Sequence, residues 1–207
     1  GVLGAAGENF TAGLDMPKFF GPGATAKPIP DDLIDPFGME SRCRKPIVTA
    51  VRGVCYTIGI ELMLAADINV VADNTVMAQI EIKRGIFPFG GANQRWVAAS
   101  GWGNAMRYLL TADELDAATA YRIGIAQEVV PVDQVLPRAL ALAETIAAQA
   151  PLAVAATLRS ARLGVEQGVT AAFEDLTPTI KKLMVTEDAA EGVMSFMQRR
   201  PAVFKGR

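Results

Sequence analysis

Residues 48–67 read VTAVRGVCYTIGIELMLAAD, and Glu61 is the one charge between Arg52 and Asp67. A run this apolar has to be buried, and its glycines divide it. It predicts a strand at 48–52, a short buried helix at 59–66 and a second strand at 68–72, which together make a βαβ unit of an α/β fold. The same alternation of short apolar strands and helical patterns extends from residue 45 to 130. Thr111 with Glu114 three residues on predicts a capping box for a helix ending near Gly124. After Pro131 the pattern turns wholly helical, over 135–148, 152–165, 169–185 and about 187–200. Two regions follow, an α/β core over 1–130 and a helical region over 131–207. The helices carry more apolar surface than they can hide on one another, which marks Leu183, Met184, Val193, Met194, Phe196 and Met197 as candidates for a subunit interface.

Residues 18–40 carry Pro22, Pro28, Pro30, Pro36, Gly21, Gly23 and Gly38 without periodicity, and predict a long loop of the kind that serves as a lid. The opening GVLGAAG reads as the end of a buried strand entering a glycine turn, so a further N-terminal piece is expected outside this sequence.

Composition narrows the chemistry. With 207 residues, 51% hydrophobic and 20% charged, the chain is too apolar for disorder, yet no stretch of about 18 residues lacks polar interruption, so neither disorder nor a membrane span is predicted. Twenty basic residues oppose 22 acidic ones, for a net charge of −2, and the basic residues form no stripe longer than Arg199 with Arg200. Nucleic acid is not an expected partner. There is no histidine, which excludes Ser-His-Asp and Cys-His catalysis and His-ligated metal within this chain. Acid–base work near neutral pH falls to carboxylates, lysine, tyrosine or cysteine. Cys43 and Cys55 have neither metal-ligand spacing nor the density of a disulfide scaffold, and no signal segment leads the chain, so a reducing cytoplasm is expected.

Two carboxylates stand out. Glu61 is alone in its apolar run, and Glu81 is isolated in Ala78-Gln79-Ile80-Glu81-Ile82. Burial disfavours the ionised form, so both should titrate high, as acid–base catalysis at neutral pH requires. From the residues alone a plainer account stays open, with Glu61 on a helix edge and Glu81 solvated on a half-buried strand. Thr57-Ile58-Gly59 precedes the short helix and leaves backbone amides at its positive end, while the turn at Phe10-Thr11-Ala12-Gly13-Leu14-Asp15 offers another amide near Ala12. Two such donors converging on one carbonyl would stabilise an enolate; each taken singly is equally a plain glycine turn.

These motifs, in this order, resemble the crotonase (enoyl-CoA hydratase/isomerase) superfamily. GVLGAAG at 1–7 with FTAGLD at 10–15 resembles its first oxyanion loop. KPIVTAVRG at 45–53, the helix with Glu61, Ala66-Asp67-Ile68, Gln79-Ile80-Glu81, GIFPFGGANQR at 85–95 and the ending SFMQRRPAVFKGR at 195–207 follow the family's order and spacing. The resemblance implies a ββα spiral core with a C-terminal helical trimerisation region, assembled as a homotrimer or a dimer of trimers. It puts the oxyanion donors on the backbone of Ala12 and Ile58 and the two hydratase glutamates on Glu61 and Glu81. Asp15 and Lys18 border the CoA path, and Phe196 and Arg199 match positions that reach a neighbouring subunit's CoA, although Arg199 with Arg200 also reads as a solvated helix end. The activity implied is syn addition of water to a trans-2-enoyl-CoA, with the CoA thioester as substrate and no metal or redox cofactor. The alternatives are isomerisation, thioester hydrolysis or dehalogenation on the same fold, or a non-catalytic acyl-CoA-binding subunit. In one place the chain departs from the family: where hydratases usually show a glycine run, it has Thr57-Ile58-Gly59.

Overall fold

The computed structural model describes residues 1–23 and 33–207. These form two compact units, Gly1–Cys43 with Ile47–Leu140, and Arg44–Pro46 with Ala141–Arg207. The division falls later than the expected 130/131, because β7 (Glu128–Val130) is followed by the start of α6 (Val135–Ala147), whose Val135 and Ala139 are buried within the first unit. No single helix among the described residues is long and apolar enough to cross a membrane.

In the first unit, β1 (Val2–Gly4), β2 (Val48–Val51), β4 (Ile68–Ala72) and β7 form a parallel sheet in the order β1-β2-β4-β7. Parallel strands covered on both faces read as continuous apolar runs, and Val48, Ala50, Val51, Val70, Val71 and Ala72 are all buried. Two polar residues interrupt them, and both are satisfied. Thr49 Oγ1 donates to Asn69 Oδ1 at 2.7 Å, Asn69 Nδ2 donates to the Ile125 carbonyl at 3.1 Å, and the Asn69 amide donates to Gln127 Oε1 at 2.8 Å.

A second sheet holds β3 (Val54–Tyr56), β5 (Val76–Ala78) and β6 (Leu115–Asp116), with β3 and β5 parallel and β6 antiparallel. The connection from β3 to β4 is α2 (Ile58–Ala65), which buries Gly59, Ile60, Glu61 and Met63. Beyond it lie a 3₁₀ turn (Glu81–Arg84), α3 (Ala92–Ser100), α4 (Trp102–Leu109) and α5 (Ala117–Arg122). Trp96 of α3 is fully buried and stacks on Tyr108 of α4, with ring centroids 6.1 Å apart.

Two local expectations change. The 18–40 loop begins inside a helix, α1 (Met16–Phe20), whose N-cap Asp15 accepts from the Lys18 amide with Pro17 in the first turn. Pro28 and Pro30 lie outside the described residues, and residues 35–41 form a tight turn in which Asp35 accepts from the Phe37, Met39 and Glu40 amides. The capping box is absent, because pairing of β6 with β5 delays the helix. Asp116 caps α5 through the Thr119 amide at 2.8 Å, and Glu114 accepts instead from the Tyr56 hydroxyl at 2.5 Å.

The second unit holds α7 (Pro151–Gln167), α8 (Val169–Leu183) and α9 (Glu187–Gln198). Helices α7 and α8 pack against each other and are joined by the Arg159–Asp175 ion pair at 2.6 Å. The chain after α9 folds back onto it. Asp188, buried, accepts from the Lys205 and Gly206 amides, and Glu191 pairs in bidentate fashion with Arg200.

Candidate active site

Strand β3 delivers the chain to Thr57, whose amide donates to the Ala78 carbonyl of β5 at 2.9 Å and whose carbonyl accepts from Ile60 at 2.9 Å and Glu61 at 3.2 Å. Ile58 therefore opens α2 with an amide that has no partner inside the helix. The other loop is tied to β3 through Thr11, whose amide donates to the Val54 carbonyl at 3.0 Å and whose carbonyl accepts from Tyr56 at 2.9 Å. Past Thr11 the chain turns at Gly13, with φ at +111°, a value that favours glycine.

The two loops touch. A Cβ on Gly13 would lie 2.5 Å from Thr57 Oγ1, and one on Gly59 would lie 2.7 Å from Thr11 Cγ2. Neither the Ala12 amide nor the Ile58 amide donates to any acceptor among the described residues. Two free amides on adjoining turns are what an oxyanion site requires.

Glu61 sits one turn into α2 and is 1% exposed. Its Oε1 accepts from the Gly90 amide at 2.6 Å and the Ala92 amide at 3.4 Å, at the N-terminus of α3. Burial pushes its carboxyl above the ordinary value, while those two amides and the charge of Arg95 pull it back towards ionisation. Glu81, 7% exposed, opens the 3₁₀ turn. Its Oε1 accepts from Gln79 Nε2 at 3.4 Å, and its Oε2 has no partner among the described residues. Burial raises its carboxyl to about 7, with the charge of Glu61 adding to the shift. The two environments differ: Glu61 has two backbone amides at the start of α3 on one carboxylate oxygen, whereas Glu81 keeps one carboxylate oxygen without a partner among the described residues.

The family model for enoyl-CoA hydratase/isomerase matches residues 2–207. The chain belongs to the enoyl-CoA hydratase/isomerase family. It is 34% identical to enoyl-CoA hydratase EchA19 of Mycobacterium tuberculosis, over 100% of this chain and 79% of that protein. It is also 34% identical to the 2,3-dehydroadipyl-CoA hydratase of Escherichia coli, over 79% of this chain and 64% of that protein. Among solved structures, a probable enoyl-CoA hydratase/isomerase from Mycobacterium abscessus superposes with a TM-score of 0.92 at 48% identity, covering 100% of this chain and 80% of that one. An enoyl-CoA hydratase from M. tuberculosis gives 0.87 at 29% identity, with the same coverage. The mixed α/β core with its C-terminal helices is the crotonase fold.

Within that fold, Ala12, Ile58, Glu61 and Glu81 all lie in the first unit, with the Ala12 and Ile58 turns in contact and the Glu61 charge acting on Glu81. Asp15 and Lys18 follow the Ala12 turn directly, both exposed, and their observed role is to start α1. Phe196, 84% exposed, and Arg199, left-handed at the C-cap of α9, belong to the second unit. Three supporting residues escaped the reading of the sequence. Gly90 and Ala92 hold Glu61, and Arg95 donates to the Gly90 and Gly38 carbonyls at 3.2 and 3.1 Å. The signal was there in Pro88-Phe89-Gly90-Gly91-Ala92 ahead of a helix, since glycines at a helix start mark free amides.

Proposed function

We propose that this enzyme hydrates trans-2-enoyl-CoA thioesters by syn addition of water, giving 3-hydroxyacyl-CoA. The observation that supports this reading most is the pair of buried glutamates with opposite environments. The thioester oxygen accepts from the Ala12 and Ile58 amides, which take up negative charge as the enolate develops. Ionised Glu61 removes a proton from water as its oxygen bonds to C3, and protonated Glu81 gives its proton to C2. Each glutamate ends in the other's starting protonation state, and exchange with solvent resets the pair. Each amide supplies on the order of 3 kcal/mol of transition-state stabilisation, by analogy with other oxyanion sites. The carboxylates then need contribute about 10²- to 10⁴-fold each. Every step uses backbone amides, carboxylates and water, so the reaction calls for no metal or redox cofactor.

The test is turnover of crotonyl-CoA and longer enoyl-CoA thioesters in H₂¹⁸O by the wild type, Glu61→Gln and Glu81→Gln. Loss of the conjugated absorbance with ¹⁸O in the product is expected for the wild type, and each substitution should lower the rate at least about 10²-fold, because an amide cannot exchange the proton. A silent Glu61→Gln with unlabelled product would instead make the enzyme an isomerase, in which one carboxylate shuttles one proton.

A further inference from the structure

The residue between the two amide donors is not glycine. Thr57 has φ +50° and ψ −112°, a positive-φ conformation that a β-branched side chain adopts only when its surroundings force it. Its backbone is fully engaged, through the amide to Ala78 and the carbonyl to Ile60 and Glu61, so the turn is held in place from both sides. Its hydroxyl is shut off from solvent and has no partner among the described residues. What the side chain does have is a contact: Thr57 Oγ1 occupies the space where a Cβ on Gly13 would stand.

Such an arrangement costs stability twice, in backbone strain and in an unpaired buried hydroxyl. Glycine would remove both costs. We propose that Thr57 is a positioning residue for the oxyanion hole, its side chain bracing the Ala12–Gly13 turn and its strained backbone directing the Ile58 amide. Ala12 is then fixed on both flanks, by the Thr11–Cys55 bridge on one side and by the Thr57 contact with Gly13 on the other. The same residue immediately precedes the second donor, so one side chain sets the spacing of both amides. This rests on the enolate-stabilising site above, but it does not require that the enolate be formed by hydration.

The experiment compares wild type, Thr57→Gly and Thr57→Ser by thermal melting, by kcat and KM on crotonyl-CoA, and by calorimetric affinity for acetoacetyl-CoA, which presents an enolate, and butyryl-CoA, which does not. Thr57→Gly relieves the strain and frees the turn. Its melting temperature should stay within about 4 °C of wild type or rise. Its kcat should fall about 10- to 100-fold with KM within about threefold, and acetoacetyl-CoA should weaken by a like factor while butyryl-CoA is unchanged. Thr57→Ser keeps the oxygen against Gly13 and should restore both kcat and acetoacetyl-CoA affinity. The proposal is overturned if Thr57→Gly keeps wild-type kcat, if Thr57→Ser behaves like Thr57→Gly, or if stability and both affinities fall together as a merely structural role would have it. A wild type that hydrates nothing yet prefers acetoacetyl-CoA refutes the hydratase reading and leaves the brace to be judged on binding. A wild type without that preference refutes the brace.

Discussion

Glu81 carries the sharpest consequence for pH. Its carboxyl rises from an ordinary value of 4.5 to about 7 on folding, because burial outweighs the pull of its own backbone amide and the Glu61 charge adds a smaller push upward. A raised carboxyl binds its proton more tightly in the folded state. The associated stability is therefore full below pH 4.5 and is lost as pH rises through about 7. Hydration should follow the same proton, declining on the alkaline side of about pH 7 as Glu81 ionises. Replacing Glu61 by Gln removes the neighbouring charge, so the Glu81 titration should move to lower pH, readable by ¹³C NMR of labelled glutamate side chains. A wild-type Glu81 that titrates near 4.5 would remove it as the acid. The sequence leaves the burial of both glutamates as one of two readings, since a lone charge among apolar neighbours can also sit on a helix edge or a solvated strand face, and the structure decides for burial. Their different surroundings were not legible at all. The amides of Gly90 and Ala92 reach Glu61 from 29 and 31 residues away, a distance over which no local pattern speaks.

Among the elements, the longer helices were read almost to their ends, since period and punctuation are both local. Residues 169–185 were expected and Val169–Leu183 is found, with Gly168 standing before the first turn. The short strands β3, β5 and β6 were not seen, being of two or three residues each and defined by partners rather than by pattern. Their pairing sets the helix start beyond the expected capping box, and it fixes how β3 presents Thr57 to β5. The junction before α3 is equally unforgiving. A Cβ on Gly90 would fall 2.6 Å from Glu61 Oε2 and 2.9 Å from Phe37 Cδ1. Gly90→Ala should therefore displace the Glu61 carboxylate and lower kcat at least about tenfold, with the far-ultraviolet circular dichroism spectrum retained. Near-normal turnover would mean that Glu61 does not need its seat at the start of α3.

At the scale of the whole molecule, the second unit leaves Val185, Phe196 and Met197 at 85%, 84% and 72% exposure in the single chain. Apolar surface of this kind is the mark of an interface. A trimer or hexamer at micromolar concentration is expected in light scattering, and Phe196→Glu with Met197→Glu should shift it towards monomer while the melting curve of the α/β core persists. A wild-type monomer would refute the interface. The α/β core carries its own safeguard. Near the start of β2 and β4, buried Thr49 and Asn69 bond to each other, and the Ile125 carbonyl and Gln127 side chain just ahead of β7 complete the bonds of Asn69. Valines and alanines would tolerate sliding past one another, since one looks much like the next. Slipping β4 against β2 by a residue would part Asn69 from Thr49 and leave hydrogen-bonding groups stranded in a dry interior. The sheet thus reports its own misalignment as lost stability, and a wrongly threaded chain is marked for unfolding before it can persist.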